Sequence, residues 1–168
     1  PAVVPRSVRP YDIAIVGLAG RYPGAQTVAE FWENLVAGTD SVTGLPTDRW
    51  AAASLPAELR DRRGGFLTDV AAFDPLFFAI SPAEALRLDP QERLFLQTAY
   101  HAIEDSGYRP MDLADNAEVG VFVGVMYEEY QLYGAEDQLR GGGRVLNGPS
   151  SSVANRVSYT LGLKGPSL

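Results

Sequence analysis

The chain has 168 residues, 46% hydrophobic and 21% charged, with 17 glycines and 12 prolines, a globular composition rather than a disordered or fibrous one. Lys and Arg number 14 against 21 Asp and Glu, a net charge of −7 that argues against binding to a phosphate backbone, so no nucleic-acid partner is expected. Cysteine is absent and His101 is the single histidine, which excludes disulfides, thiolate zinc sites and a thiol nucleophile within these residues; no metal site is expected.

No apolar run is long enough to span a membrane, and the N-terminus lacks a charged-then-apolar signal pattern, so a soluble, cytoplasmic protein without a membrane partner is expected. Residue 1 is Pro and the first Met is Met111, which points to a chain that is processed, excised or one piece of something larger. Residues 1–10, rich in Pro and Arg and without periodicity, read as a linker.

Residues 11–17 (YDIAIVG) are a short apolar run with the composition of a buried strand. The glycines that follow, Gly17, Gly20 and Gly24, do not have the G-x-G-x-x-G spacing of a dinucleotide site, and Pro23 interrupts the helix start such a site needs. They read as a turn. Thr27 and Glu30 form a capping box for a helix to about Ala37, closed by Gly38, with Phe31, Leu35 and Trp32 on its apolar face. Residues 40–50 read as ordered loop ending in a core plug, Trp50, and 51–63 as a surface segment followed by a short extended piece at 64–67. Phe73, Phe77, Phe78 and Ile80 form an apolar anchor.

Ser81 with Glu84, and Asp89 with Glu92, are two further capping boxes, each with proline at the first helical position. They predict a short helix, a bend and a long helix from Pro90 to about Ser106, apolar on more than one face and therefore buried between layers. His101 beside that stripe reads as a structural or surface residue. Residues 116–124, with Val119, Val121, Phe122 and Val123, predict a second buried strand, joined to the first by a helical crossover. Met126 and Tyr127 leave its C-terminal end, where open α/β sheets bind ligands. Residues 128–144, acidic and then glycine-rich, read as a mobile or partner-covered loop. A last helix at about 151–161 carries Val153, Val157 and Leu161 on one stripe, with Gly162 closing it and Lys164–Leu168 turning into a new strand.

The ordered series IAIVGLAGRYPGA (13–25), FWENLVAGTDSVTGLPTDRW (31–50), GGFLTDVAAFDPLFFAISPAEALRLDPQERLFLQTAYHAIEDSGY (64–108), GVFVGV (120–125) and ANRVSYTLGLKGPS (154–167) resembles β-ketoacyl synthases, and more narrowly the ketosynthase domain of modular polyketide synthases. The stretch GVMYEEYQLYG (124–134) is similar to ketosynthases served by a separate (trans) acyltransferase. Gly20 departs from the pattern, since relatives often carry a non-catalytic Cys there.

The resemblance implies an α/β, thiolase-like fold, layered α/β/α/β/α when complete, with residues 11–168 supplying most of the first half as the N-terminal part of a ketosynthase domain. It implies decarboxylative Claisen condensation: an acyl chain passes from the phosphopantetheine of an acyl carrier protein to a cysteine, then to a malonyl-type extender. That cysteine and two histidines are expected beyond residue 168, so no catalytic residue is assigned here, no cofactor is bound directly, and the chain alone is expected to be inactive and poorly folded. By resemblance Met126 and Tyr127 lie near the acyl tunnel, and residues 134–147 reach a partner subunit. Gly165, Pro166, Ser167 and Leu168 lie at a homodimer interface, and Asp89, Pro90 and Gln91 are structural. The expected partners are an acyl carrier protein, the C-terminal remainder of the ketosynthase and a second copy. The alternatives are a non-catalytic or split remnant acting as a dimerisation or carrier-docking scaffold, and a nucleotide-binding α/β protein, against which the glycine spacing counts.

Overall fold

Capping chemistry decides where the helices begin. The computed structural model, which describes residues 12–49, 55–116, 118–141 and 149–168, opens its first helix, α1 (Val28–Ala37), on Thr27. The Thr27 hydroxyl accepts from the Glu30 N–H at 3.2 Å, and the Glu30 carboxylate accepts in return from the Gln26 N–H at 2.6 Å. Gly38 ends the helix at φ 67°, the left-handed conformation that glycine adopts without penalty. After the four-residue helix α2 (Ala57–Arg60) come α3 (Pro82–Ala85), capped by Ser81, and α4 (Pro90–Asp105), where the Asp89 carboxylate accepts from the Gln91 N–H at 2.8 Å. The last helix, α7 (Ser151–Leu161), has the predicted bounds and ends in Gly162 at φ 69°.

The core lies where α4 meets α7. Leu88, Leu96 and Val157 are fully buried there, joined by Phe78, Ile80, Ala85, Val121, Ala154 and Leu161. Burial of each large aliphatic side chain contributes about 1.5–3 kcal/mol. The predicted aromatic anchor closes one end: Phe73 stacks on Phe78 at 5.4 Å, and Phe77 meets Tyr100 edge-on at 5.0 Å.

Several expectations are corrected. Residues 42–44 are strand rather than loop: β1 (Val42–Gly44) pairs antiparallel with β2 (Arg63–Gly65), Val42 opposite Gly65. Arg63 reinforces the pair by donating from its guanidinium to the Val42 carbonyl at 2.5 Å. The loop expected over 128–144 contains α6 (Tyr130–Leu139), because Gln, Leu, Ala and Glu are good helix formers and Arg140 pairs with Glu136 one turn away at 2.6 Å. A short helix, α5 (Pro110–Asn116), follows α4 and carries the exposed pair Arg109–Asp112.

The first expected strand is not buried. Residues 12–20 have no ladder among the described residues, and Ile13 is 94% exposed. What fixes this segment is α4: the Leu18 N–H donates to Asp105 Oδ2 at 2.9 Å, and Gly17 runs so close that a Cβ there would lie 2.2 Å from the Ala102 carbonyl oxygen. The apolar face of α1 is likewise exposed at Trp32 and Leu35, with Phe31 covered by Tyr22, stacked at 4.0 Å. The long helix α4 is fully buried only at Glu92 and Leu96. The linker at 1–10, Tyr11, Trp50, residues 51–54 of the expected surface segment and residues 142–147 of the expected partner-reaching segment lie outside the described residues.

Two measurements check this account. Ala79 holds φ 53° between the buried Phe78 and Ile80, a conformation that costs a residue with a Cβ about 1–2 kcal/mol. In a complete ketosynthase domain, Ala79→Gly is expected to stabilise by about 0.5–1 kcal/mol, read as a higher unfolding midpoint, after glycine's unfolded-state entropy is counted. The bidentate hydrogen bonds from Arg109 hold the Asp112 carboxyl below its ordinary value of 3.8. Its contribution to α5 is therefore present above the unfolded-state value and lost as pH falls through the lower, folded one. A carboxyl-carbon NMR titration is expected to place the Asp112 midpoint below 3.8 in the parent and to return it there in Arg109→Ala.

Candidate functional site at the end of a parallel strand pair

The second expected strand finds its partner in the residues after α7, but it is buried only at Val121, with Phe122 68% exposed, and with no ladder at 12–20 the expected crossover lacks its first strand among the described residues. Val121 bridges Ser167 in parallel. The Gly165 N–H donates to the Val119 carbonyl at 3.0 Å, Val121 to Pro166 at 2.8 Å, Leu168 to Val121 at 3.0 Å and Val123 to Leu168 at 2.8 Å. These bonds alternate between the two strands as a parallel ladder requires. Pro166, which has no N–H, contributes only its carbonyl. Gly165 is required for close approach: a Cβ there would lie 2.4 Å from the Val119 carbonyl carbon and 2.5 Å from the Gly120 nitrogen. The Ser167 hydroxyl meets the Ser158 hydroxyl of α7 at 2.5 Å, so the strand is tied to the helix that precedes it.

Both strands run toward the same end, and Met126 and Tyr127 leave the first of them there. Met126 is 83% exposed and the Tyr127 side chain is also exposed. The backbone at Tyr127 is held: its carbonyl accepts from Gln91 Nε2 at 2.9 Å, while the same amide donates to Asp89 Oδ2 at 3.2 Å. The Asp89-Pro90-Gln91 run is thus structural, capping α4 and tying its first turn to the end of the strand. Tyr127 also edges a small polar cleft with Asp89, Glu92, Glu128, Ser150 and Ser152. The ladder joins Val123 to Leu168; Leu168 is exposed, as Met126 is.

One group escaped the sequence reading. Glu92 was expected to complete a capping box on Asp89, yet it is 3% exposed and turned toward α7. Its Oε1 accepts from the Ser152 hydroxyl. Its Oε2 lies 3.4 Å from Arg156 Nε, an ion-pair distance without hydrogen-bond geometry. Arg156 Nη1 donates to Glu84 of α3 at 2.6 Å. Ser152 and Arg156 stand four apart beside the apolar stripe of α7, the sequence signal that would have marked a polar seam.

His101 is a surface residue, as read: its Nδ1 lies 3.0 Å from the Glu104 carboxylate. It edges an open cavity of about 550 Å³ with Arg21, Gln26, Gln97, Thr98 and Asp105. No cluster of three or more metal-ligating side chains occurs among the described residues. Gly24 holds φ 72° in the turn closed by Tyr22 and Ala25, so the early glycines serve turn and packing. No helix among the described residues is long and apolar enough to cross a membrane.

The chain has the thiolase-like fold of ketosynthase domains. It superposes on the oxazolomycin ketosynthase domain OzmH KS7 of Streptomyces albus JA3453 with a TM-score of 0.82 at 48% identity, over 92% of this chain and 28% of that one. It superposes on the ketosynthase from module 6 of the bacillaene synthase of Bacillus subtilis 168 with a TM-score of 0.75 at 40% identity, over 92% and 25%. The family model for the β-ketoacyl synthase N-terminal domain matches residues 11–168, and the chain belongs to that family. It is 49% identical to the polyketide synthase PksL of Bacillus subtilis (strain 168), over 94% of this chain and 4% of that protein. It is 48% identical to the polyketide synthase ThaG of Burkholderia thailandensis, over 93% and 3%. The chain thus spans a few per cent of those polyketide synthases and about a quarter of the solved ketosynthases.

Gly165→Ala is expected to separate the parallel pair, because the atoms its methyl meets are backbone and cannot turn aside. The cost is about 1–3 kcal/mol. In a complete ketosynthase domain it should appear as a lower melting temperature with faster amide exchange at Val121 and Leu168; unchanged exchange at both would show that the pair tolerates a side chain there.

Proposed function

We propose that the chain is the N-terminal part of a polyketide ketosynthase that takes an acyl chain from the phosphopantetheine of an acyl carrier protein and extends it by decarboxylative Claisen condensation. The observation that carries this reading is the family match across residues 11–168, together with a strand, 165–168, that continues out of the α7 turn. A cysteine thiolate beyond residue 168 attacks the acyl thioester and expels the phosphopantetheine thiol. A malonyl-type thioester then loses carbon dioxide, its enolate carbon attacks the enzyme-bound acyl group, and the cysteine thiolate leaves as the carbon–carbon bond forms. Two histidines beyond residue 168 support decarboxylation.

This chain's own residues frame that chemistry. Met126 and Tyr127, at the C-terminal end of a strand, fit the wall of an acyl tunnel, Met126 as a flexible apolar contact. Gly165, Pro166, Ser167 and Leu168 fit a homodimer interface; Leu168 is exposed at the end of the ladder. The segment 134–147, of which α6 forms the first part, fits a partner-reaching arm, since no residue of α6 is buried. The acidic, tyrosine-bearing run 124–134 supports the subclass served by a separate acyltransferase. The working enzyme is a cytoplasmic homodimer acting with an acyl carrier protein, and residues 1–168 alone are inactive.

The test is acyl loading. A complete ketosynthase domain containing this chain, incubated with an acyl thioester of phosphopantetheine, should gain the acyl mass, and with a malonyl carrier protein should release the β-ketoacyl product. A complete domain that folds and dimerises but gains no mass would sink the enzyme reading and favour the scaffold. Acylation of residues 1–168 by themselves would sink the assignment of the nucleophile.

A further inference from the structure

The seam between α4 and α7 holds more charge than packing requires. Glu92 is almost fully buried, and a buried carboxylate is costly unless it is paired. Its partners, Ser152 and Arg156, both belong to α7, and Arg156 reaches on to Glu84 of α3. Two carboxylates thus share one guanidinium. Well-packed apolar side chains of similar volume would serve stability at least as well.

What the cluster adds is direction. The other inward residues of α7 are Val153, Ala154, Val157 and Leu161, aliphatic groups that tolerate small slides and rotations along α4. Ser152 and Arg156, one helical turn apart, bond to fixed points on two other helices and so set both the rotation and the height of α7. α7 passes its position on. Ser158, two residues after Arg156, touches Ser167 across the Gly162 turn, and Gly165 and Leu168 hydrogen-bond into residues 119–123.

We propose that Arg156 is a positioning residue: clamped between Glu84 and Glu92, it fixes α7 and through it the path of the strand at 165–168. For its kinetic consequence this rests on the condensing reading above; for its structural consequence it does not. A displacement of about 1 Å at a reacting group costs up to about a hundredfold in rate, so such a clamp acts on turnover more than on substrate binding.

The experiment uses the complete ketosynthase domain. Arg156→Ala leaves two carboxylates unpaired and risks unfolding, so the informative variant is Arg156→Met combined with Glu92→Gln, which removes charge from both sides and keeps volume. In the double variant the amides of Val121, Val123 and Leu168 should exchange about tenfold faster, while those of Val157 and Leu161, inside α7, stay at the parent rate. The acylation kcat should fall about ten- to a hundredfold with KM changed by less than about threefold, and Arg156→Lys should recover part of the loss. Arg109→Ala, which breaks an exposed pair away from the seam, should change neither readout. Parent-like exchange at all three strand amides, or a folded double variant that acylates at the parent rate, overturns the proposal. A parent domain that does not acylate sinks the condensing reading alone, and the exchange rates then decide the positioning role.

Discussion

The contact between α4 and α7 is the constraint on which the rest of the structure depends. The largest fully buried side chains, Leu88, Leu96 and Val157, belong to the core at this seam, and so does the buried carboxylate Glu92. Elements that do not touch it are poorly covered: α1 and α6 bury no residue, and 12–20 leaves Ile13 in the open. Both ends of α4 are put to use. Its first turn holds the Tyr127 carbonyl through Gln91, and its last holds the Leu18 N–H through Asp105. A single helix therefore places both the segment at Leu18 and the mouth of the candidate site.

Much of this was legible because its causes are local. A cap is written within three or four residues, which is why Thr27, Ser81 and Asp89 mark helix starts that the structure keeps. An apolar stripe closed by glycine is equally local, and α7 follows it to the residue. The family resemblance, spread over ordered segments, was legible for a different reason: it does not depend on any one of them.

What stayed hidden needs a partner to be seen. β1 and β2 are three residues each, too short to show alternation, and exist because each finds the other. α6 was hidden by Gly134 within it and the glycines that follow it, although Gln131, Leu132, Ala135, Glu136, Gln138 and Leu139 favour a helix. Glu92 is the clearest case. At the third position of a helix a glutamate serves either as a cap, facing its own chain, or as a buried anchor for a neighbour. Local sequence writes both possibilities in the same letters. The presence of Ser152 and Arg156 across the seam decides between them.

The strand pair at 119–123 and 165–168 shows the same dependence in the other direction. Two short parallel strands joined by four backbone bonds have little stability of their own, and parallel pairing is the weaker kind. Gly165 allows the backbones to meet, but allowing contact is not the same as enforcing it. Enforcement comes from the helix: α7 is fixed on α4 by apolar burial, oriented by the charged seam, and linked to the outgoing strand through Ser158 and Ser167. A site that demands accuracy within about half an ångström is best held by such rigid elements, and here the rigid element is the helix. The order of dependence runs from α4 to α7 and only then to the strand. Changes remote from the strand, at Glu84 or Glu92, therefore bear on its position through α7.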